Sequence, residues 1–180
     1  MPHLQNLLQT VSDSDNPDYV ESHGPFLCRK SPWLGEGYYF WDGLISRAHW
    51  WGKVHYDDKY MICQAYAHIE DELYLDLAGD MSQLKYFEKC YDAINEKFDG
   101  KVKTVSFVIA KLKKDNNFPY KAMRVLSEFC GGDEKKIVFT LKSHSYLNLT
   151  PPMQICIYDR SLIKDYHIIY PEAYCLEGYV

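Results

Sequence analysis

The sequence predicts a single α+β domain, and three observations carry that prediction. Strand-like stretches rich in β-branched and aromatic residues lie towards both ends of the chain, at 37–42, 60–69 and 73–78, then at 136–141, 153–159 and 166–170. The middle is helical in pattern, so strands and helices are segregated rather than alternating as regular βαβ units. The chain is 180 residues long, with no repeat, low-complexity tract or long linker, which is the size of one domain.

Taken in order, residues 4–11 (LQNLLQTV) set Leu4, Leu7, Leu8 and Val11 at helical spacing, and the turn-rich SDSDNPD after them ends that predicted helix. GYYFWD (37–42) reads as a short aromatic strand entered through Gly35 and Gly37. The following LISRAHWW suits a helix with Asp42 as its N-cap. YMICQAYAHI (60–69) and LYLDLA (73–78), separated by Glu70-Asp71-Glu72, are expected to form a hairpin. Residues 82–98 give the clearest helix, with Leu84, Phe87, Tyr91, Ile94 and Phe98 on one face, Asp80 and Gln83 as a capping box and Gly100 as the stop. Val105, Val108, Ile109 and Leu112 share a helical face at 104–112, a stretch that also suits a strand. A further helix is expected at 120–129, from Pro119 to Gly131-Gly132.

Hydrophobic residues at 47% and charged residues at 25% are ordinary for a globular chain and exclude wholesale disorder. A net charge of −5 argues against broad electrostatic binding of nucleic acid. The one basic cluster (Lys101, Lys103, Lys111, Lys113, Lys114) reads as a solvated face that could touch an acidic target. No apolar run approaches the roughly 18 residues of a membrane span, and the first residues lack a basic stretch leading into an apolar one. A cytoplasmic protein without a membrane partner is expected. Cys28, Cys63, Cys90, Cys130, Cys156 and Cys175 contain no CxxC pair and read as reduced structural thiols. The seven histidines form no metal-binding pattern.

Aromatic residues are the compositional outlier, at 16% with 16 tyrosines, and all four tryptophans (Trp33, Trp41, Trp50, Trp51) fall close together. Such rings pack a core, and they also offer flat faces for stacking a heterocycle. GEGYYF lacks the third glycine of a dinucleotide fingerprint and leads into a strand, which disfavours a Rossmann site.

The stretch Leu34-Gly35-Glu36-Gly37-Tyr38-Tyr39-Phe40-Trp41-Asp42, followed by Ser46-Arg47-Ala48-His49-Trp50, resembles the ADP-ribosyltransferase superfamily, in the branch of poly-ADP-ribose polymerase catalytic domains and bacterial toxin-like domains. Gln154-Ile155-Cys156-Ile157-Tyr158-Asp159 resembles the strand that carries that family's catalytic glutamate. The resemblance implies two small, mainly antiparallel sheets around an NAD cleft, with flanking helices. It implies that Tyr39 and Trp50 sandwich nicotinamide, that backbone at Gly37 and Tyr38 bonds its carboxamide, and that Gln154 holds the nicotinamide ribose. Stacking and cation–π attraction suit a cationic pyridinium to two such rings.

Three positions depart from the family pattern. Gln154 stands in place of the glutamate, so it can accept a hydrogen bond but supplies no negative charge. Arg47 replaces the serine that binds the carboxamide; it could serve there, but a solvated helix residue is the commoner outcome for arginine. The first-motif histidine is His23, before Gly24, or else His3; His23 equally reads as a loop histidine without a role. Glu70 and Glu72 resemble the E-x-E pair of some toxins but read as a hairpin tip, and Glu172 and Glu177 reach the site only if the last segment folds back.

The implied activity is mono-ADP-ribosyl transfer of toxin or defence type, with NAD as substrate and a protein or nucleic acid as acceptor. The alternatives are a catalytically silent module that binds NAD, ADP-ribose or a partner protein, and a purely structural aromatic core.

Overall fold

The computed structural model describes residues 3–127, 135–142 and 144–175. Its architecture is mixed α+β, with four α-helices and mostly antiparallel strands. The strands are β1 (His3–Ser12), β2 (Tyr38–Asp42), β3 (Tyr60–Ile69), β4 (Tyr74–Asp76), β5 (Ala122–Leu126), β6 (Lys136–Val138), β7 (Tyr146–Asn148), β8 (Met153–Ile157) and β9 (Ile163–Tyr170). The helices are α1 (Pro17–His23), α2 (Ile45–His55), α3 (Met81–Lys97) and α4 (Val105–Lys114). The described residues form two unequal sheets. Seven strands form one sheet in the order β4-β5-β8-β2-β1-β3-β9, while β6 and β7 pair only with each other.

The two faces of the large sheet bury different sets. On one face, Leu75, Met123, Cys156 and half-buried Tyr39 pack beneath Phe87 and Ile94 of α3 and Val108, Ile109 and Leu112 of α4. Further along the same face, Leu8, Trp41 and Ile62 meet Ala48, Trp50 and Trp51 of α2. That contact is close: a Cβ on Gly52 would lie 2.3 Å from the Tyr60 ring. On the other face, Leu7, Phe40, Ala65, Ile69, Tyr74, Ala122, Ile155, Ile157 and Ile163 form one cluster. Both edges of the sheet contribute to it, through Tyr74 and Ile163, so the sheet curls around this core. Val20 of α1 closes its end against Met61, Cys63 and Ile168.

Residues 4–11 are a strand, contrary to the helix their spacing predicts. Leu7 and Leu8 are both buried because β1 is covered on both faces, which erases the alternation of a half-exposed strand. Within the predicted 120–129 helix, Ala122–Leu126 form the strand β5, where Ala122 and Met123 are adjacent and both buried, while 128–129 and the predicted Gly131-Gly132 stop lie outside the described residues. The 60–69 and 73–78 stretches do not form a hairpin. β4 pairs in parallel with β5, and β3 lies between β1 and β9. Asp42 does not cap α2, whose N-cap is Leu44 without a side-chain bond. Its carboxylate lies 3.3 Å from Arg124 Nε instead, and Arg124 also pairs with Asp76 at 3.5 Å.

α3 and α4 follow the sequence reading, whereas α1 and β7 lie where it predicts no element, and β6 ends at Val138 within the predicted 136–141 strand. The Asp80 carboxylate accepts hydrogen bonds from the Ser82 and Gln83 N–H groups at the start of α3, but the Gln83 amide oxygen accepts from Asp76 N–H at 2.6 Å instead of closing the capping box on Asp80. Gly100, at φ +72°, ends the following turn with its N–H bonded to Asn95 O. The 104–112 stretch resolves to helix, capped by Thr104. Cys28, Cys63, Cys90, Cys156 and Cys175 are free thiols, and Cys130 lies outside the described residues. Among the described residues, no helix is long and apolar enough to cross a membrane.

Candidate functional site

The candidate site begins where two strands separate. β1 pairs with β2 only at Leu7↔Asp42 and Leu8↔Trp41; β1 then continues against β3, and β2 continues against β8. Backbone groups exposed by this fork need partners. Gln9, 7% exposed, supplies them. Its Nε2 donates to Phe26 O at 2.9 Å and Tyr39 O at 3.4 Å, while its Oε1 accepts from Phe26 N–H and the Tyr166 hydroxyl, each at 2.9 Å. The Phe26–Cys28 segment is thereby stitched into the fork, and Cys28 N–H donates to Gly37 O at 3.0 Å.

Between these walls lies a cavity of about 480 Å³, lined by Trp33, Tyr39, Trp41, Trp51, Tyr56 and Gln154, with Asn16, Cys28 and Lys30 also in its wall. Its size and aromatic lining are those of a small-molecule site. The Tyr39 and Trp33 ring centroids are 6.2 Å apart at 41°, and those of Trp41 and Trp51 are 6.1 Å apart at 60°. The Tyr39 hydroxyl accepts from Leu34 N–H at 2.7 Å and donates to Gly35 O at 2.8 Å. Tyr158 donates to Leu34 O at 2.9 Å, so two tyrosines anchor the loop before β2. Burial raises the Tyr39 phenol far above its ordinary pKa and pushes the neighbouring Cys156 thiol up to about 12. Both groups are therefore neutral at physiological pH, and neither is an activated nucleophile or base.

Gln154 lies opposite Trp41 across the β2–β8 pair, and its Oε1 is buried with no hydrogen-bond partner. No Asp or Glu lines the cavity among the described residues.

The residues singled out by sequence divide into two groups. Tyr39 and Gln154 meet at the cavity. Tyr38 packs against the core on the opposite face of the sheet, and the Gly37 carbonyl is occupied by Cys28. Trp50 packs on Trp41 at 6.4 Å and is not part of the cavity wall; Trp51, one residue on, takes that side. Arg47 is 3% exposed rather than solvated, and its guanidinium donates through Nε (2.8 Å) and through a terminal nitrogen to Thr150 O. His23 ends α1 outside the cavity, its ring stacked on Tyr19 at 4.0 Å and its Nδ1 2.9 Å from Ser22 Oγ. His3 opens β1.

Glu70 and Glu72 sit at an exposed 3₁₀ turn, Glu172 is exposed in another, and Glu177 lies outside the described residues. Of the basic cluster, Lys113 covers the Tyr158 ring with its Nζ 3.7 Å from the centroid. Sequence reasoning did not reach Gln9, Asn16, Tyr56 or the cavity-lining role of Trp51. The Trp50-Trp51 doublet was visible, but adjacent helical residues point about 100° apart and nothing local selects one. No protein-family model, curated protein or solved structure matches this chain.

Proposed function

We propose that this chain binds NAD through its nicotinamide end in the fork cavity, as a module of the ADP-ribosyltransferase kind. The observation that carries this reading is the buried Gln154 Oε1, unpartnered at the wall of a cavity it shares with Tyr39. A buried acceptor left unmatched costs about 1–3 kcal/mol, which a ligand hydroxyl or amide N–H would recover once the amide turns this oxygen towards the cavity. Trp33 with Tyr39 and Trp41 with Trp51 offer faces for a planar cationic ring. In this reading Trp51 takes the part that the resemblance gives to Trp50.

A second reading is mono-ADP-ribosyl transfer, of toxin or defence type and in the cytoplasm, to a protein or nucleic acid. It is favoured by the pairing of β2 with β8, which brings the two motif stretches side by side. In that reaction the C1′–N bond breaks with its electrons leaving on nicotinamide, an acceptor nucleophile bonds to C1′, and its proton passes to solvent. Gln154 would orient the ribose through a hydrogen bond while leaving the developing positive charge unopposed, so turnover would be slow.

Calorimetric titration with NAD, beside an assay of nicotinamide release, tests both readings. Binding weakened by Tyr39→Ala and Gln154→Ala without nicotinamide release supports the module. Release that both variants abolish supports the enzyme. Unchanged melting in millimolar NAD defeats both, because a ligand of the folded state must raise its stability.

A further inference from the structure

We propose that the β6–β7 hairpin is a docking arm for an anionic lipid surface. It stands apart from the seven-stranded sheet, as three residue pairs from Lys136↔Asn148 to Val138↔Tyr146. Adjacent residues in a strand point to opposite faces, and here both members of each adjacent pair are apolar and about half exposed: Ile137 with Val138, and Tyr146 with Leu147. Beyond β6, Phe139 is two-thirds exposed and Leu141 fully so. Contiguous apolar surface of this kind marks an interaction site. A flat partner would cover one face of such an arm, whereas a lipid interface surrounds both faces and the tip.

Charge selects the kind of lipid. Residues 135–150 hold Lys135, Lys136 and Lys142 and no acid, with Asp133 and Glu134 directly before them in the sequence. The whole chain has 20 basic and 25 acidic residues, so the remainder carries 17 against 25, a net −8 beside +3 on the arm. An anionic surface attracts the arm and repels the body, which orients the molecule tip-down. The Lys136 Nζ lies 4.3 Å from the Tyr146 ring centroid, a cation and an amphipathic ring suited to headgroup depth. Depth is also limited by the backbone. Three-residue strands are far short of the roughly 9–11 needed to span a bilayer, and the outer edges of a lone hairpin need water. The arm therefore rests in the interface and does not cross it.

Co-sedimentation with vesicles tests the proposal, comparing phosphatidylcholine alone with phosphatidylcholine mixed with phosphatidylserine. The protein is expected to pellet with the mixed vesicles only and to be released by salt. Each lysine is expected to contribute about fivefold to affinity, so Lys135→Gln with Lys142→Gln should lower it about 25-fold. Phe139→Ser with Leu141→Ser should abolish binding, and both variants should melt at the wild-type temperature because the altered side chains are exposed. Absence of binding, equal binding to both vesicle types, or binding unchanged in the hairpin variants overturns the proposal. So does lipid-free dimerisation that Phe139→Ser/Leu141→Ser removes, which would assign the arm to a second copy of the chain.

Discussion

The two edges of β1 meet different fates. Along one, all ten residues pair in register with β3, from His3↔Ile69 to Ser12↔Tyr60. Along the other, pairing with β2 stops after Leu8. On the zipped edge, backbone satisfies backbone, and side chains are free to build the core. On the forked edge, a side chain must replace the missing ladder, and the Gln9 amide does so with four contacts. A sheet that opens in this way gains a cavity, at the cost of depending on one polar residue.

Two substitutions two residues apart in β1 separate these roles. Leu7 is fully buried in the core, and Leu7→Ala should cost about 3 kcal/mol by leaving a void. Its NAD affinity, measured by calorimetry under native conditions, should stay at the wild-type value. Gln9→Ala should cost less stability, about 2 kcal/mol in a urea melt, because it strands buried backbone groups of Phe26 and Tyr39. Its effect on the cavity should be larger, with NAD binding weakened at least as much as in Tyr39→Ala. If Gln9→Ala binds NAD normally, the fork is held open by something other than that amide.

The same contrast decides what the sequence can reveal. β2, β3 and β8 were readable because aromatic and β-branched runs end at turn residues, and α3 because its apolar stripe and Asp80 cap agree. β1 looks helical in the sequence because a central strand buries adjacent residues, and because Gln5 and Gln9, both buried, are spaced like a helix's polar face. β5 misleads differently, because Pro119 before it and Gly131-Gly132 after it look like the start and stop of a helix. Of the cavity wall, the motif stretches name Tyr39 and Gln154. Gln9 could not be found, since its importance comes from a break in pairing between strands that are distant in sequence. Arg47 reads in the sequence as a surface charge, whereas in the fold its guanidinium is buried and donates to Thr150 O, a hundred residues away.

A smaller effect probes the α2 contact on the zipped side. His49 Nδ1 lies 2.9 Å from the Tyr60 hydroxyl, and its ring meets the Tyr170 edge-on at 4.7 Å. Burial, helped by the Lys53 charge, holds its pKa below the ordinary value. The unfolded chain thus takes up this proton more readily than the folded one. Stability should fall as pH drops below about 6.5 and level off once the folded-state value is passed. Melts across that range should show a loss of under about 1 kcal/mol, and His49→Gln should flatten the slope. A slope that survives the substitution would place the proton uptake elsewhere.

The smallest effect is expected where the two regions are joined. Asp159 caps the 3₁₀ turn that carries the chain from β8, on the cavity wall, to β9 at the far edge of the zipped strands. The Ser161 hydroxyl bonds its carboxylate at 2.6 Å, Lys121 Nζ lies at 2.9 Å, and its pKa is held down to about 2, chiefly by the serine bond. A carboxylate depressed in this way adds stability above its unfolded value of about 3.9 and loses it as pH falls towards 2. Both partners are about a third or more open to solvent, which screens the interaction. Asp159→Asn should therefore cost under about 1 kcal/mol at neutral pH, and its melting curve should converge with wild type by pH 2. A larger loss, or one accompanied by weaker NAD binding, would mean that this turn transmits strain from the zipped edge to the cavity and that the two sides of β1 are not independent.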